Sequence, residues 1–390
     1  MNEIVSAWGD NSNGNLGIGD ADGRNAPTAV TGLEGVRTIE AGSGHVIAVL
    51  EDGTAYGWGR NAFGQVGNAS TENATTPQRV KLDGIKSVAP GGGHTLFLRE
   101  DGTVWGCGAG FFGMLGPDNM RVHPVPVPVA APEGIVSLVS GGSHALALLE
   151  DGTVWSWGRD DRGQLGDGEE AGTRPGHVVQ AHAGVEFVVR NIPAQVKGIS
   201  DARHVAVGGG HSLVVHADGT LSGWGFNDCG QLGDGTTENK NAPFKLAVEG
   251  VRETAGAYHH TLILLEDGTV QAIGLNDCGQ LGNGGTTNSL TPVEVKGLRG
   301  VTQVVATGGG GDTNPGGFGH SLAVLDDGTL WAWGCNNSGE LGLGSNDGQI
   351  VPVQVPGLAG VRYVTVGGDV PFVRENPGGG SAAAIHTVQA

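Results

Sequence analysis

The 390-residue chain has few charged residues, and no run of lysine or arginine occurs anywhere along it. Charged side chains make up 16% of the sequence, and acidic ones outnumber basic ones enough to give a formal net charge of −19. A negative field repels phosphate backbones and anionic lipid surfaces. We therefore expect neither a nucleic-acid partner nor a membrane partner, although excess acid is also typical of proteins that are simply soluble.

Targeting signals and metal-type cysteine pairs are also missing. No basic segment followed by an apolar run begins the chain, and no stretch approaches the length of a membrane span, so we expect a cytoplasmic protein. The cysteines, Cys107, Cys229, Cys278 and Cys335, lie far apart and form no Cys-x-x-Cys pair. This spacing favours free thiols in a reducing compartment and leaves pairing in space open.

Glycine, in contrast, is abundant and recurs in fixed patterns. The 75 glycines fall in a repeated unit that contains a Gly-rich turn ending in His, an apolar strand, Asp-Gly, a second strand ending in Trp-Gly, and then Gly-Gln-Leu-Gly. Asp-Gly between two alternating apolar runs predicts a hairpin. The histidines of six copies are His45, His94, His144, His211, His260 and His320.

A seventh copy is divided between the two ends of the chain. The segment 381–385 falls at the position of the histidine strand, and 4–9 supplies the strand that should follow it. Pairing the ends in one sheet would close a ring. The sequence thus predicts an all-β fold, a seven-bladed β-propeller of four-stranded antiparallel blades in a single domain. The expected blades are 34–82, 83–130, 133–198, 200–248, 250–298, 300–358, and 359–390 together with 1–33.

The repeat, with its Asp-Gly-Thr-Val-x-x-Trp-Gly-x-Asn-x-x-Gly-Gln-Leu-Gly core, resembles that of the regulator-of-chromosome-condensation family. Its best copies are 141–168, 208–235 and 317–344. The resemblance implies that the strand before the histidine lies nearest the axis, so that the histidine turn and the Gly-Gln-Leu-Gly loop open on one face. Members include a guanine-nucleotide exchange factor, a plant ultraviolet receptor and enzyme inhibitors. The turns before His contain no Trp cluster like that of the receptor, and no basic tail precedes Ile4, which disfavours light sensing and nuclear exchange.

Three insertions lengthen the repeat, at 169–192, 308–319 and 367–380, and the assignment of faces puts all of them on one side. Because functional residues concentrate on loops held by a rigid scaffold, these segments are the predicted binding site. Mobile decoration is the alternative. The candidate side chains are Asp312, Asn314, Phe318, Phe372, Arg374, Glu375, His177, His182, Phe187 and Arg190, together with Tyr258 and His259 beside a repeat histidine.

The repeat histidines suggest a metal ring, but geometry disfavours it. Zinc requires ligands at about 2 Å, whereas equivalent atoms of neighbouring blades are at least about 4.7 Å apart. We therefore expect no metal and assign these histidines a structural role, with hydrogen bonds inside their own blades.

No phosphate-binding loop and no nucleophile elbow appears, so conventional catalysis has no signature and no cofactor is expected. The sequence favours a rigid scaffold that binds a protein partner through the inserted face. The alternative is an enzyme or small-molecule binder with a pocket over the axial opening, in which Arg374, Glu375, Asp312 and His259 supply charge and proton transfer. A guanine-nucleotide exchange factor for a small GTPase is a third and weaker reading.

Overall fold

A computed structural model describes residues 4–168, 177–182, 185–308 and 319–375. Within these ranges no helix is long and apolar enough to cross a membrane. The regular elements are β-strands, as the alternation of apolar residues and the many turn glycines predicted. In chain order they are β1 (Ile4–Gly9), β2 (Arg24–Ala29), β3 (Val36–Ala41), β4 (His45–Leu50), β5 (Ala55–Gly59), β6 (Ala74–Arg79), β7 (Ile85–Pro90), β8 (His94–Arg99), β9 (Val104–Ala109), β10 (Val122–Val129), β11 (Ile135–Ser140), β12 (His144–Leu149), β13 (Val154–Arg159), β14 (His177–His182), β15 (Val185–Gln195), β16 (Ala202–Val207), β17 (His211–His216), β18 (Leu221–Gly225), β19 (Lys240–Lys245), β20 (Val251–Gly256), β21 (His260–Leu265), β22 (Val270–Gly274), β23 (Ser289–Glu294), β24 (Val301–Gly308), β25 (Gly319–Leu325), β26 (Leu330–Gly334), β27 (Gln349–Gln354), β28 (Val361–Gly367) and β29 (Val370–Glu375).

The strands form seven antiparallel sheets arranged as the blades of a propeller, which confirms the predicted fold class. Blade one contains β3 to β6, blade two β7 to β10, blade three β11 to β15, blade four β16 to β19, blade five β20 to β23, and blade six β24 to β27. Blade seven is made of β28, β29, β1 and β2. The first strand of each blade, from β3 to β28, also contacts the first strand of the next blade and lies closest to the axis.

The two ends of the chain meet in blade seven. Strand β1 pairs with β29 in antiparallel register, with Ile4 opposite Glu375 and Ala7 opposite Phe372. The predicted closure of the ring is therefore confirmed, and it leaves no terminal blade unpaired. The predicted partner of β1 was wrong, because β29 begins directly after a short turn in which Gly367 pairs with Val370. The expected partner, 381–385, lies outside the described residues.

Blade three has five strands instead of the predicted four. The inserted segment 169–192, expected as a loop, supplies β14 and the first part of β15. Strand β15 pairs with β13 through Trp155 and Gln195 and also with β14, in which His182 lies opposite Val185. The insertion therefore extends a blade outward as a hairpin, and β14 becomes the outer edge of the sheet.

Tryptophans fasten neighbouring blades together. Five of them are fully buried, and the indole N–H of each donates to a main-chain carbonyl in the loop of the preceding blade at 2.9–3.2 Å. Apolar side chains of adjacent sheets pack around these rings, and burial of such area is the main favourable term in folding. The indoles are Trp8, Trp58, Trp157, Trp224 and Trp333.

Candidate functional site

One face of the propeller is built from the histidine turns and the Gly-Gln-Leu-Gly loops. In each blade, the residue after the Trp-Gly position donates its N–H to the carbonyl of the residue before the histidine position. Arg60 bonds Gly44 at 2.7 Å and Phe226 bonds Gly210 at 2.9 Å in this way. These bonds hold the two loops of a blade side by side. We call this side of the propeller the loop face.

A buried asparagine stiffens the loop in five of the seven blades, whereas blade two has Gly110 and blade three the buried Asp160 at this position. In blade four, Asn227 donates from Nδ2 to the carbonyls of Thr236 and Glu238 at 3.1 Å, and its Oδ1 accepts from the N–H of Leu232 at 2.9 Å. Asn61 and Asn276 make the same set of bonds in blades one and five. Loop side chains between these anchors are thus presented on a fixed backbone, which lowers the ordering cost of binding.

The loop face carries a continuous band of aromatic and arginine side chains. Phe63 and Phe111 contact edge to face with ring centres 6.1 Å apart, and so do Phe112 and Phe187 at 5.2 Å. Phe226 and Tyr258 follow at 6.5 Å. The guanidinium groups lie over rings of the band, and we call the whole set the Arg–Phe arc: Arg60, Phe63, Phe111, Phe112, Arg159, Arg162, Phe187, Phe226 and Tyr258.

The arc spans blades one to five because its members occupy the variable positions of the repeat. Arg60, Arg159 and Phe226 follow the Trp-Gly pair of their blades, whereas Phe63 and Arg162 stand in the Gly-Gln-Leu-Gly loops. The guanidinium carbons of Arg159 and Arg162 each lie 4.6 Å from the centre of the ring below them. Cation–π contacts of this kind stabilise the arrangement. Arg60 is exposed, Phe226 is buried beneath Arg162, and the other members of the arc are half-buried.

His259 anchors the end of the arc in blade five. Its ring lies 4.7 Å from Tyr258, its Nδ1 is 3.0 Å from Oδ1 of Asp228, and Sγ of Cys229 is 3.7 Å away. Burial and the Asp228 carboxylate raise the pKa of the Cys229 thiol to about 12. A thiol that stays protonated is a poor nucleophile, so the Cys–His contact does not form an activated pair.

Comparison with known proteins identifies the family of this propeller. The family model described as RCC1-like domain matches residues 5–373. The chain belongs to the RCC1-like domain family. Its sequence is 32% identical over 361 residues to the ultraviolet-B receptor UVR8 of Arabidopsis thaliana, covering 90% of this chain and 66% of the receptor. It is 30% identical over 163 residues to the human E3 ubiquitin-protein ligase HERC2, which covers 3% of that protein.

Solved structures agree on the fold. Prp20p from Saccharomyces cerevisiae superposes with a TM-score of 0.81 at 22% identity, covering 96% of this chain and 92% of that protein. Human WBSCR16 superposes with a TM-score of 0.80 at 23% identity, covering 96% of this chain and 99% of that one. Identities this low establish a shared propeller and not a shared activity.

The repeat histidines of this RCC1-like domain are buried between blades. Each of five donates or accepts at Nε2 with a hydroxyl of the next blade at 2.7–3.0 Å, as His45 does with Thr95 and His211 with Thr261. The expectation that these bonds stay inside the blade was therefore wrong. Burial lowers the pKa of His45 to about 3 and that of His94 to about 4, so the rings are neutral.

Three predicted binding residues lie instead in the closing strand β29. Phe372 is fully buried against Trp58, with ring centres 6.0 Å apart. Arg374 donates to the carbonyl of Arg37, and Glu375 accepts from Ser6 Oγ at 2.9 Å. Their assignment to an exposed loop was wrong, because the segment that looked like a glycine-rich insertion supplies the second strand of blade seven.

The inserted hairpin of blade three accounts for two more candidates. Arg190 is buried, lies 3.2 Å from Asp167 and donates to the carbonyl of Ser156 at 2.8 Å, so it holds the hairpin to the blade. His177 opens β14 with Nε2 3.3 Å from Asp160, a carboxyl whose pKa burial raises. His182 ends β14. Asp312, Asn314 and Phe318 lie outside the described residues.

Two of the cysteines are joined. Cys278, in a loop of blade five, forms a disulfide with Cys335, which follows the Trp-Gly pair of blade six. The expectation of free thiols was wrong for this pair, whereas Cys107 and Cys229 are free. The bond crosses the loop face beside the arc and ties two blades together.

The Arg–Phe arc was not predicted from the sequence, because most of its residues lie outside the three insertions. Phe187 alone among its phenylalanines was predicted, and Tyr258 was predicted as a neighbour of His259. A signal was nevertheless present: the residue after Trp-Gly and the residue before Gly-Gln-Leu-Gly differ from copy to copy, and in blades one to four six of these eight residues are Arg or Phe.

Proposed function

We propose that this RCC1-like domain is a rigid recognition scaffold that binds a protein partner through the Arg–Phe arc. The observation that carries the proposal is the arc itself, a line of aromatic and guanidinium groups on the loop face, all of them at least partly exposed except the buried Phe226. Arg, Tyr and Phe are enriched at the centres of protein–protein interfaces, where large side chains bury much area at low cost in entropy.

The hairpin of blade three enlarges this surface. Val178 and Val179 of β14 are 38% and 61% exposed, and they lie on the outer strand of a sheet that also carries Phe187 of the arc. An exposed apolar edge strand is a template for pairing with another chain. The hairpin and the arc together therefore offer main-chain and side-chain contacts to one partner.

Relatives support the class of function without naming the partner. Prp20p was studied for its binding to Gsp1p and histones, and a crystal structure shows Kap60 bound to it. Those partners belong to that protein. The present chain spans 66% of the plant receptor and 3% of the ubiquitin ligase, so their activities are not transferred to it.

The enzyme alternative receives less support. Of its four proposed groups, Arg374 and Glu375 are buried and hydrogen-bonded in β29. His259 is paired with Asp228 at 3.0 Å and lies on the arc. No specific observation favours a pocket over the axial opening within the described ranges.

Site-directed photo-crosslinking in the native host tests the proposal. A benzophenone amino acid is placed at Phe63, in the arc, or at Lys245, whose ammonium lies 4.0 Å from Asp218 of an Asp-Gly turn on the other side. Lys245 is 60% exposed and serves as the matched control. We expect a discrete protein adduct from position 63 and none from position 245.

The same adduct at both positions, or an adduct at position 245 alone, would contradict binding by the arc. A second cross-linker, at Phe187 or Val179, then separates contacts made by the arc from contacts made by the hairpin. Arg162→Glu is then added to the protein with the cross-linker at position 63. The yield of adduct should fall, because a carboxylate cannot make the cation–π contact that the Arg162 guanidinium makes with the ring of Phe226.

A further inference from the structure

The residue directly before the histidine of the repeat points into the junction between two blades. In four blades it is a glycine: Gly44, Gly93, Gly210 and Gly319. A Cβ atom added to Gly319 would lie 3.0 Å from Nε2 of Gln280 and 3.4 Å from Cε1 of His260, both in the preceding blade. A side chain at this position of blade six would therefore face Gln280 and His260 of blade five.

In blade seven the equivalent residue is Asp369. The register of β1 with β29 sets Val370 at the place of the histidine, and the N–H of Asp10 donates to the carbonyl of Asp369 at 3.2 Å, like its equivalents in other blades. The groups that Asp369 faces in the preceding blade are Glu340 and His320. Where four other blades have glycine, Asp369 places a carboxyl group at the junction of blades six and seven.

Glu340 departs from the repeat as well, because glutamine stands at this position in blades one, three, four and five. Its side chain is fully buried. The carboxylate accepts from the N–H of Asn337 at 3.1 Å and from that of Ser338 at 2.6 Å. These bonds fix the orientation of the carboxylate and leave further lone pairs on its oxygens, since each oxygen has two.

His320 lacks the partner that the other repeat histidines have. Those five bond a Ser or Thr hydroxyl of the next blade. Pro371 follows the histidine position in blade seven and offers no hydroxyl. His320 is fully buried, and both of its ring nitrogens lack a hydrogen-bond partner among the described residues. A buried imidazole without hydrogen-bond partners lowers the stability of the folded chain unless another group binds it.

The three side chains converge. His320, Glu340 and Asp369 each offer one ligand-type atom, and these atoms all lie within 4.8 Å of one another. Oδ1 of Asp369 is buried without a partner. A bound cation would neutralise these carboxylates and satisfy the orphaned nitrogen and oxygen together.

We propose that His320, Glu340 and Asp369 form a zinc site at the junction of blades six and seven. Zinc accepts one imidazole nitrogen and two carboxylate oxygens at distances of about 2.0–2.2 Å, and three protein ligands leave a fourth position open. The main-chain bonds to Glu340 act as the outer contacts that orient a ligating carboxylate. The argument against a ring of histidines concerned equivalent atoms of neighbouring blades; these three side chains come from non-equivalent positions, and their ligand atoms lie within 4.8 Å of one another.

The site has a route to solvent. Asp369 is half-buried and lies on the loop face. A cavity of about 500 Å³ lined by Asp10, Arg24, Ser338 and Asn346 adjoins it, and Ser338 and Asp10 are the same residues that bond Glu340 and Asp369. Because Asp369 is half-buried and two residues of the cavity wall bond Asp369 and Glu340, we expect water to reach the open coordination position.

Zinc titration of the full chain tests the site, after treatment with a chelator and dialysis. Two variants restore the residues that the repeat has elsewhere, Asp369→Gly and Glu340→Gln, and are expected to fold. The matched control is His259→Gly, which makes the same restoration at the equivalent position of blade five and removes a ligand from the cluster with Asp228 and Cys229. Calorimetry gives affinity and stoichiometry, and thermal unfolding without zinc checks folding.

We expect wild type and His259→Gly to bind zinc equally at this site, and Asp369→Gly and Glu340→Gln to bind it at least about tenfold more weakly. The Co²⁺-loaded protein should show d–d absorption without a thiolate charge-transfer band, because no cysteine is a ligand. Equal zinc affinity in wild type and Asp369→Gly, a thiolate band that vanishes in His259→Gly, or no zinc binding by the wild type would each overturn the assignment.

Discussion

The guanidinium carbon of Arg159 lies 4.6 Å from the ring centre of Phe187. Arg159 ends a strand that every copy of the repeat has, whereas Phe187 belongs to the inserted hairpin of blade three. The contact therefore joins the repeated scaffold to the hairpin that the other blades lack, on the face where the Arg–Phe arc runs.

This pair should show measurable coupling. The single variants Arg159→Ala and Phe187→Ala, with the double variant, form a cycle whose coupling free energy in urea unfolding we expect to be about 0.5–1 kcal/mol. The cycle removes the separate contribution of the bond from Arg159 to Asp161. The same cycle for Arg159 and Phe63, which belong to different blades, is the control and should give coupling near zero. Equal coupling in both cycles would contradict the contact.

A single backbone position carries strain that one substitution should relieve. Ala69 has a φ of 71°, in a turn where other blades have glycine at the same place. An L-residue in the left-handed region costs about 1–2 kcal/mol, part of which the greater chain entropy of glycine offsets. We expect Ala69→Gly to stabilise the domain by about 0.5–1 kcal/mol in urea unfolding.

The reverse change provides the control. Gly344 has a φ of 77° and no heavy atom within 4 Å of an added Cβ, so only the backbone conformation opposes a side chain there. Gly344→Ala should destabilise the domain by about 1 kcal/mol. A destabilising Ala69→Gly would show that the turn of blade one is not strained.

The disulfide predicts a definite count of thiols. In denaturant without reductant, two cysteines per chain should react with a thiol reagent, because Cys278 and Cys335 are bonded and Cys107 and Cys229 are free. After reduction all four cysteines of the chain should react. A Cys335→Ser variant should show three reactive thiols without reductant. Four reactive thiols in the unreduced wild type would contradict the bond.

The chain ends show which part of the ring closure could be predicted from the sequence and which could not. Ring closure followed from the strand at 4–9, which matches the strand after Asp-Gly in the repeat but has no histidine strand before it in the sequence. The partner was misplaced because Val370 stands where histidine is expected and Asp-Gly is missing from the end of β29, so no motif marks that strand. Its apolar alternation, with Val370 and Phe372 buried, was the remaining signal.

The arc and the disulfide could not be read from one copy of the repeat. Both depend on contacts between different repeat positions in adjacent blades, such as the loop residue Cys278 and Cys335 after Trp-Gly. A period of about fifty residues aligns equivalent positions, whereas the packing of neighbouring blades joins non-equivalent ones. The histidine bonds were misassigned to single blades for the same reason.

Glu253 should make stability depend on pH. It lies on the first strand of blade five, accepts from the N–H of Val304 at 3.4 Å, and burial raises its pKa to about 7. Between its unfolded pKa near 4.5 and about 7, the folded chain holds a proton that the unfolded chain has released, so the free energy of unfolding falls as pH rises through this window.

Glu253→Gln removes this titration. Relative to wild type, the variant should become progressively more stable as pH rises from 4.5 to 7 and show a constant difference above that range, measured by urea unfolding at a series of pH values. A flat difference for Glu253→Gln would contradict the raised pKa.

The most direct test of the account is the affinity of the arc for the partner recovered by cross-linking at Phe63. Isothermal titration of that purified partner compares wild type with Arg60→Glu and Phe187→Ala, and with Lys245→Glu on the other side of the propeller. The account predicts that each arc variant raises Kd by about tenfold or more while Lys245→Glu leaves it unchanged. Unchanged affinity in both arc variants, or a loss in Lys245→Glu alone, would contradict a partner-binding face built on the Arg–Phe arc.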